Sequence, residues 1–331
     1  MTPVTGVVRG MAEATDEEIR SLRDFDRNGG MIRGMPMADY LAIKALSAGG
    51  IWALVDEAPA KYWLRSPFNP DYQPDNSATF DIGTAAHLAV LEPAALAASI
   101  VEIDADDFRT KAAQASRDDA YAAGKTPLLP KHLATVNAVA LAIEAHPVAR
   151  EAFRGGAPEV TFVWNDHATG VPCKCRVDYR PDDGSHLVDL KSAASANPRE
   201  WIKNAARLGY FSRAAFYLDG VAQASAITPS DYWFVNVEKE PPHLISVCAF
   251  EIKAIEFGRM INRKGIDLFE TCMRTQDWHG YRQPGSNRDR AFRVSLPVWA
   301  EYALADRDQA GEFRTKLTAA DARRSQEWLA P

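Results

Sequence analysis

Between Tyr40 and Ala145, apolar residues recur at three- and four-residue intervals in the stretches Tyr40–Leu46, Ile51–Leu64, Ile82–Leu91 and His132–Ala145. This is the spacing of side chains that share one helix face, so the first half of the chain is predicted to be mainly helical. At Pro158 the period changes. Glu159–Trp164, Val171–Tyr179 and His186–Leu190 read as short strands, and the separators Asn165–Gly170 and Pro181–Ser185 carry Asn-Asp, Gly and Pro-Asp-Asp-Gly turn chemistry. Three strands joined by short turns predict an antiparallel meander. Helical spacing returns from Pro198 to Gly220, strands follow at Asp231–Val237 and Leu244–Phe250 around a Pro241-Pro242 turn, and an amphipathic helix runs from about Ala254 to Arg274. The order predicts an α/β fold: a mixed central β-sheet flanked by helices, preceded by a mainly helical N-terminal portion. Ser66–Asn76 and Gln283–Arg290 are read as loops.

Composition narrows the function classes. With 331 residues, 47% hydrophobic and 25% charged, the chain can bury a substantial core. It has no apolar run of roughly 18 residues, so no membrane partner is expected. Met1–Asp24 lacks the basic start and apolar run of a secretory signal, which points to a cytoplasmic protein. Of the four cysteines, Cys173 and Cys175 are too close for an easy disulfide and lack zinc-type spacing with Cys248 and Cys272, so all four are read as reduced structural thiols. A net charge of −6 weighs against a nucleic-acid partner. Yet Arg259 to Arg293 holds eight basic residues against four acidic ones, a segment that permits DNA binding and is more commonly a solvated helix face.

The candidate chemistry centres on Asp189 and Lys191. Strand residues alternate sides, so these two project to one face where the third predicted strand ends. Asp189 follows Leu187-Val188 in a strand expected to be buried, and a buried carboxylate beside a lysine is costly unless it has a function. Asp178 ends the preceding strand, but it comes beside Asp189 only through a stagger or bend that sequence does not specify. Two carboxylates able to hold Mg²⁺, with an ammonium for the water or the developing charge, suit phosphodiester hydrolysis. A D-x-K tripeptide alone means little, since about one D-x-K or E-x-K is expected by chance in such a chain. Glu251-Ile252-Lys253 is another, at a strand-to-helix junction.

Several motifs in order carry more weight. Gly83-Thr84-Ala85-Ala86-His87 through Glu92-Pro93, Pro158-Glu159, Cys173-Lys174-Cys175-Arg176-Val177-Asp178, Leu187-Val188-Asp189-Leu190-Lys191-Ser192 and Tyr210 through Gly220 together resemble the PD-(D/E)xK nuclease superfamily. The likeness is nearest to the exonuclease VIII (RecE-like) type of phage and prophage recombination nucleases, and it spans roughly Leu46 to Trp299. It implies a restriction-endonuclease-like core and a Mg²⁺-dependent exonuclease, with Mn²⁺ able to substitute, that digests double-stranded DNA from an end to leave single strands for recombination. It further implies a bacterial or phage-infected cell, a single-strand annealing protein as partner and a homo-oligomeric assembly. Carried over by position, His87, Asp178, Asp189 and the Leu190 carbonyl would hold metal, Lys191 would serve the water or the transition state, and Glu159 would be an auxiliary carboxylate.

One position departs from the pattern. Where such nucleases usually have Gln, this chain has Arg213, on one helix face with Tyr210 and Tyr217 at the site margin. Its guanidinium could contact phosphate, pair with a site carboxylate or mark altered activity. Lys61 and Arg65 are weaker candidates for a terminal DNA phosphate. The segments read from sequence are an N-terminal extension (1–35), a helical portion carrying His87 (36–157), the nuclease core (158–276) and a C-terminal extension (277–331). Competing readings are a structure-specific or helicase-associated endonuclease, and a DNA-end-binding module without turnover.

Overall fold

The computed structural model describes residues 30–72, 82–282, 286, 288 and 290–313. Most of the expected N-terminal extension, the end of the 66–76 loop, parts of the 283–290 loop and residues 314–331 lie outside the described residues. The chain forms two compact units, one ending at Gly280 and one beginning at Tyr281.

In the first unit, helices α1 (Met37–Ala42), α2 (Ala48–Trp52), α3 (Pro59–Leu64), α4 (Ile82–Leu91), α5 (Pro93–Ser99), α6 (Lys111–Ala122), α7 (Pro130–Ala145) and α8 (Pro147–Ala152) precede the main strands. Threaded among them are the short strands β1 (Gly30–Ile32), β2 (Ile100–Glu102) and β3 (Thr126–Leu128). The core then runs β4 (Gly156–Asn165), β5 (Pro172–Pro181), β6 (His186–Ala193), α9 (Pro198–Arg207), α10 (Tyr210–Ala224), β7 (Asp231–Glu238), β8 (Ile245–Cys248) and α11 (Ile252–Thr275). The described part of the second unit contains α12 (Val298–Gln309).

The main sheet has the order β1-β4-β5-β6-β7-β8, and β2 pairs with β3 in a separate parallel ribbon. The predicted meander is β4-β5-β6, antiparallel throughout. The step from β6 to β7 is parallel, which requires a crossover, and α9 with α10 supplies it. One face of the sheet packs Phe162, Cys175, Leu187 and Phe234 against α2, α10 and α11. The other packs Val188, Leu190 and Val235 against α4, α7 and α8. Burial on both faces explains why β6 reads as an apolar run rather than an alternation. The α/β reading of a mixed sheet flanked by helices thus holds.

Local chemistry accounts for the departures. The stretch read as one helix over Ile51–Leu64 is broken, because Pro59 pushes Ala58 into extended backbone (φ −171°, ψ 150°) and then opens α3, where its missing N–H is harmless. Pro198–Gly220 divides at Gly209, whose φ of 69° suits glycine and whose absent Cβ would lie 2.3 Å from Trp52 Cε3. The helix expected at Tyr40–Leu46 sits earlier, at Met37–Ala42, and Leu46 instead bridges to Cys173. Helix α6 is rich in alanine and charge and shows little apolar period; its signal is Thr110, whose side chain accepts from Ala113 N at 3.2 Å. Burial raises the Cys173 and Cys175 thiols well above their ordinary range, as structural thiols require.

Three of the eight cations in the basic segment are held by acidic partners. Arg259 pairs with Asp219, Arg274 with Glu270, and Arg263 with both Asp267 and Asp166. Burial works against ionisation of Asp166, but hydrogen bonds from Arg263 and Thr169 outweigh it and hold the carboxyl below its usual range. A carboxylate with a lowered folded-state pKa contributes stability that is complete above the unfolded value of about 3.9 and is lost as pH falls through the folded value. Urea midpoints measured from pH 7 to pH 3 should therefore fall less steeply in Asp166→Asn than in the parent, and superimposable slopes would refute this assignment.

Candidate active site

Backbone geometry lines up the acids. The pairing of Tyr179 with Val188 sets Asp178 in register opposite Asp189. The pairs Pro158–Tyr179 and Val160–Val177 bracket Glu159 opposite Asp178. Three adjacent strands thus place one acid each in a single cross-strand row. At that row the sheet bends. Val160 and Val177 belong to the core under α10, whereas Tyr179, two residues on, packs against Phe153 on the opposite face, which a regular strand forbids. Glu159 takes φ 50°, a left-handed conformation that costs about 1–3 kcal/mol in a residue with a Cβ. The bend supplies what the alternation of β5 alone does not, bringing Asp178 beside Asp189.

Contacts knit the row together. His87, on α4, places Nε2 2.9 Å from Asp178 Oδ2 and Nδ1 3.7 Å from Glu159 Oε1. The Leu190 backbone N–H donates to the same Asp178 oxygen at 2.8 Å, across the gap where β5 and β6 diverge. Asp189 pairs with the Lys191 ammonium through Oδ2 and accepts from the Tyr232 hydroxyl through Oδ1 at 3.3 Å. Lys191 Nζ and the Arg213 guanidinium lie 5.6 and 5.2 Å from the centroid of the Tyr210 ring. Tyr217 meets Tyr232 edge to face at 5.6 Å. A cleft of about 860 Å³ opens onto His87, Glu159, Arg176, Leu190, Lys191 and Ser192.

Burial and charge set the protonation of the cluster. Burial opposes ionisation of Asp178, yet the His87 charge and hydrogen bond, with Lys191 and the Leu190 N–H, keep its pKa below the usual carboxylate range. Burial also opposes protonation of His87, and Asp178 outweighs it, raising the imidazole above its ordinary value. Glu159 is pushed up to about 7 by burial and by the neighbouring Asp178 charge. Tyr232 is raised well above its ordinary range by burial and by Asp189, so it remains a hydroxyl donor.

The structure brings together His87, Glu159, Asp178, Asp189, Leu190 and Lys191, with Tyr210, Arg213 and Tyr217 beside them. Lys61 and Arg65 fall elsewhere. Both face Glu57, Arg65 through two hydrogen bonds of 3.0 and 2.9 Å, and Arg65 lines a separate cavity whose walls contain none of the residues clustered around His87 and Asp178. Two neighbours escaped the sequence reading. Tyr232 carried no signal beyond its strand. Arg176, 3.8 Å from Glu159, also donates to Thr161 Oγ1 and Met35 O, and the bend at Asp178 keeps strand alternation from placing it.

The residues fit a hard divalent cation. The donor set is three carboxylates and one imidazole, and Asp189 Oδ2 is buried, opposite an ammonium and without a hydrogen bond of good geometry. Among the described residues, no three His, Cys, Asp or Glu side chains already converge as a finished cage, since His87 and Asp178 face one another.

Comparison with known proteins agrees with this architecture. The crystal structure of a candidate exonuclease from Eubacterium rectale aligns with 13% identity over 82% of this chain and 99% of that one, with a TM-score of 0.54, a likeness of fold. That of SSO0001 aligns with 13% identity over 49% of this chain and 68% of that one, at a TM-score of 0.26 too low to bear on the fold. No curated protein matches the sequence. The model of a PDDEXK-like domain of unknown function (DUF3799) matches residues 60–283. The fold is restriction-endonuclease-like, and the chain belongs to this PDDEXK-like family and through it to the PD-(D/E)xK superfamily.

Proposed function

We propose that this protein is a Mg²⁺-dependent exodeoxyribonuclease of the exonuclease VIII type, digesting double-stranded DNA from an end. Family membership supports nuclease activity, for which DNA is the implied substrate, and nucleases of this superfamily generally use divalent metal ions. The observation that carries the reading is the row Glu159, Asp178, Asp189, joined by the Leu190 N–H and completed by Lys191.

In this reading His87, Asp178, Asp189 and the Leu190 carbonyl would hold the ion. When bound, the metal would make a water molecule acidic enough to attack and would offset charge on the phosphoryl oxygens. The chain's own groups do the positioning. Asp178 is oriented by His87 and the Leu190 N–H, and Asp189 by Tyr232. The Lys191 ammonium stands where it can align the water or meet developing negative charge. Glu159 is the auxiliary carboxylate. An end-directed enzyme of this kind would leave single strands for recombination, with a single-strand annealing protein as natural partner and a closed homo-oligomer suited to processive digestion. No helix among the described residues is long and apolar enough to cross a membrane.

Incubation of linear and covalently closed duplex DNA with Mg²⁺ tests the proposal. Release of nucleotides from the linear form, with the closed circle intact for at least about a hundredfold longer, is expected of a nuclease that must begin at an end. Efficient cutting of closed circles would replace this reading with an endonuclease. Binding of ends without any divalent-dependent release would leave a DNA-end module.

A further inference from the structure

Of the cations that line the cleft, Arg176 and Lys191 have partners within the chain, and a third cation, Arg213, lies with Lys191 at the Tyr210 ring. Arg176 is held by Thr161, Met35 and Glu159, and Lys191 by Asp189. Arg213 is different. Its guanidinium makes no hydrogen bond and no ion pair with any described residue, and none of its nitrogens is sealed from solvent. What holds it is the ring of Tyr210, itself stacked parallel on Phe234 at 5.5 Å and 6°. Helix α10 is pinned at its first turn by the contact of Gly209 with Trp52. The arginine is therefore preorganised without a counter-ion, although most of its side chain is withdrawn from water.

A charge so placed is normally paired or coordinated, and a guanidinium has five N–H donors to satisfy. Burial opposes its charge, and Tyr217 and then Asp189 favour it, yet neither makes a hydrogen bond or ion pair with Arg213. An anion that supplied its acceptor would have to reach the Tyr210 ring. Because Lys191 approaches the same Tyr210 ring, that anion sits beside the Lys191 ammonium. A planar fork matches two oxygens on one phosphorus, a contact that an ammonium cannot reproduce.

We propose that Arg213 is a catalytic residue that grips the two non-bridging oxygens of the DNA phosphate cleaved beside Lys191. The proposal rests on the nuclease reading above and assigns to one phosphate contact the side chain that departs from the usual glutamine.

Two measurements test it. The first is binding of a short blunt-ended duplex at fixed Ca²⁺ over a salt series. Loss of one phosphate contact in Arg213→Gln should reduce the slope of log K against log salt by about 0.9, while Arg213→Lys keeps the parent slope. The second is hydrolysis with Mg²⁺, where Arg213→Gln should lower kcat/KM by about 10²-fold and Arg213→Lys by at least about tenfold. An unchanged slope in Arg213→Gln overturns the proposal, even if the parent is an active nuclease. A reduced slope in Arg213→Gln, where the parent releases no nucleotide, upholds the phosphate contact and removes the nuclease reading instead. Should Arg213→Gln fail to fold, Arg213→Lys decides, and parental kcat/KM in that variant overturns the fork.

Discussion

Replacing Asp189 by Asn is expected to lower Mg²⁺-dependent DNA hydrolysis by about 10³-fold or more while leaving the fold intact. The amide has nearly the volume of the carboxylate and keeps an oxygen to accept from the Tyr232 hydroxyl, so the buried strand around Leu187 and Leu190 need not move. What disappears is the charge that pairs with Lys191 and that would hold the ion. Lys191→Met removes the other half of the pair and should have an effect of similar size. The double variant should be hardly worse than either single one, because residues that act as a unit are not additive. Initial rates on a linear duplex, with circular dichroism as a check of folding, decide the matter. Activity within about tenfold of the parent in either single variant would move the site away from these residues.

The second large effect is one of stability and concerns Lys174. This lysine is only 5% exposed, and its ammonium donates to three backbone oxygens, Tyr40 O at 2.7 Å, Ile43 O at 2.9 Å and Leu41 O at 3.4 Å. Two effects oppose one another. Burial, and then repulsion by Arg176, push its pKa down to about 8, which corresponds to about 3 kcal/mol against the charged form. Three hydrogen bonds to backbone oxygens offset part of that cost, and without the lysine those oxygens would stay buried with no donor. Lys174→Met therefore should cost about 2–4 kcal/mol, since it orphans carbonyls at the end of α1. The sign with pH follows from the lowered pKa. Below pH 8 both folded and unfolded chains carry the proton, and between about 8 and 10.4 only the unfolded chain does, so the contribution of Lys174 grows more favourable as pH rises through that window. Urea denaturation of parent and variant at pH 7 and pH 9.5 measures both effects, and a variant as stable as the parent would refute this account.

Lys174 also shows where reading from sequence stops. Alternation in Cys173-Lys174-Cys175-Arg176-Val177 correctly turns the cysteines and Val177 inward. It suggests solvent for Lys174 and Arg176, because nothing in the local period reveals that Met35–Ile43 folds over that side. The meander and the shared face of Asp189 and Lys191 were legible because turn chemistry and a period of two are local properties. The convergence of Asp178 with Asp189 was not, because it depends on a bend expressed in the positive φ of Glu159, and glutamate carries no signal for that conformation. His87 was visible only through its motif, since a lone histidine in an apolar helix has no period of its own. The basic count from Arg259 to Arg293 permitted a DNA surface, with a solvated helix face as the commoner reading. Its acids at four-residue spacing, Asp267 after Arg263 and Glu270 before Arg274, were equally readable and account for two of those cations.

The place of Asp178 between two diverging strands has a consequence for relatives of this protein. Its carboxylate accepts the Leu190 N–H that the main chain of β5 does not reach, so it is an architectural element of the sheet as well as an acid of the cleft. A descendant that had abandoned DNA cleavage would still be penalised for losing it, by an orphaned amide in a buried strand. Retention of this aspartate across a lineage is thus poor testimony of activity. Lys191 holds no backbone amide, although its loss would leave the buried Asp189 carboxylate unpaired.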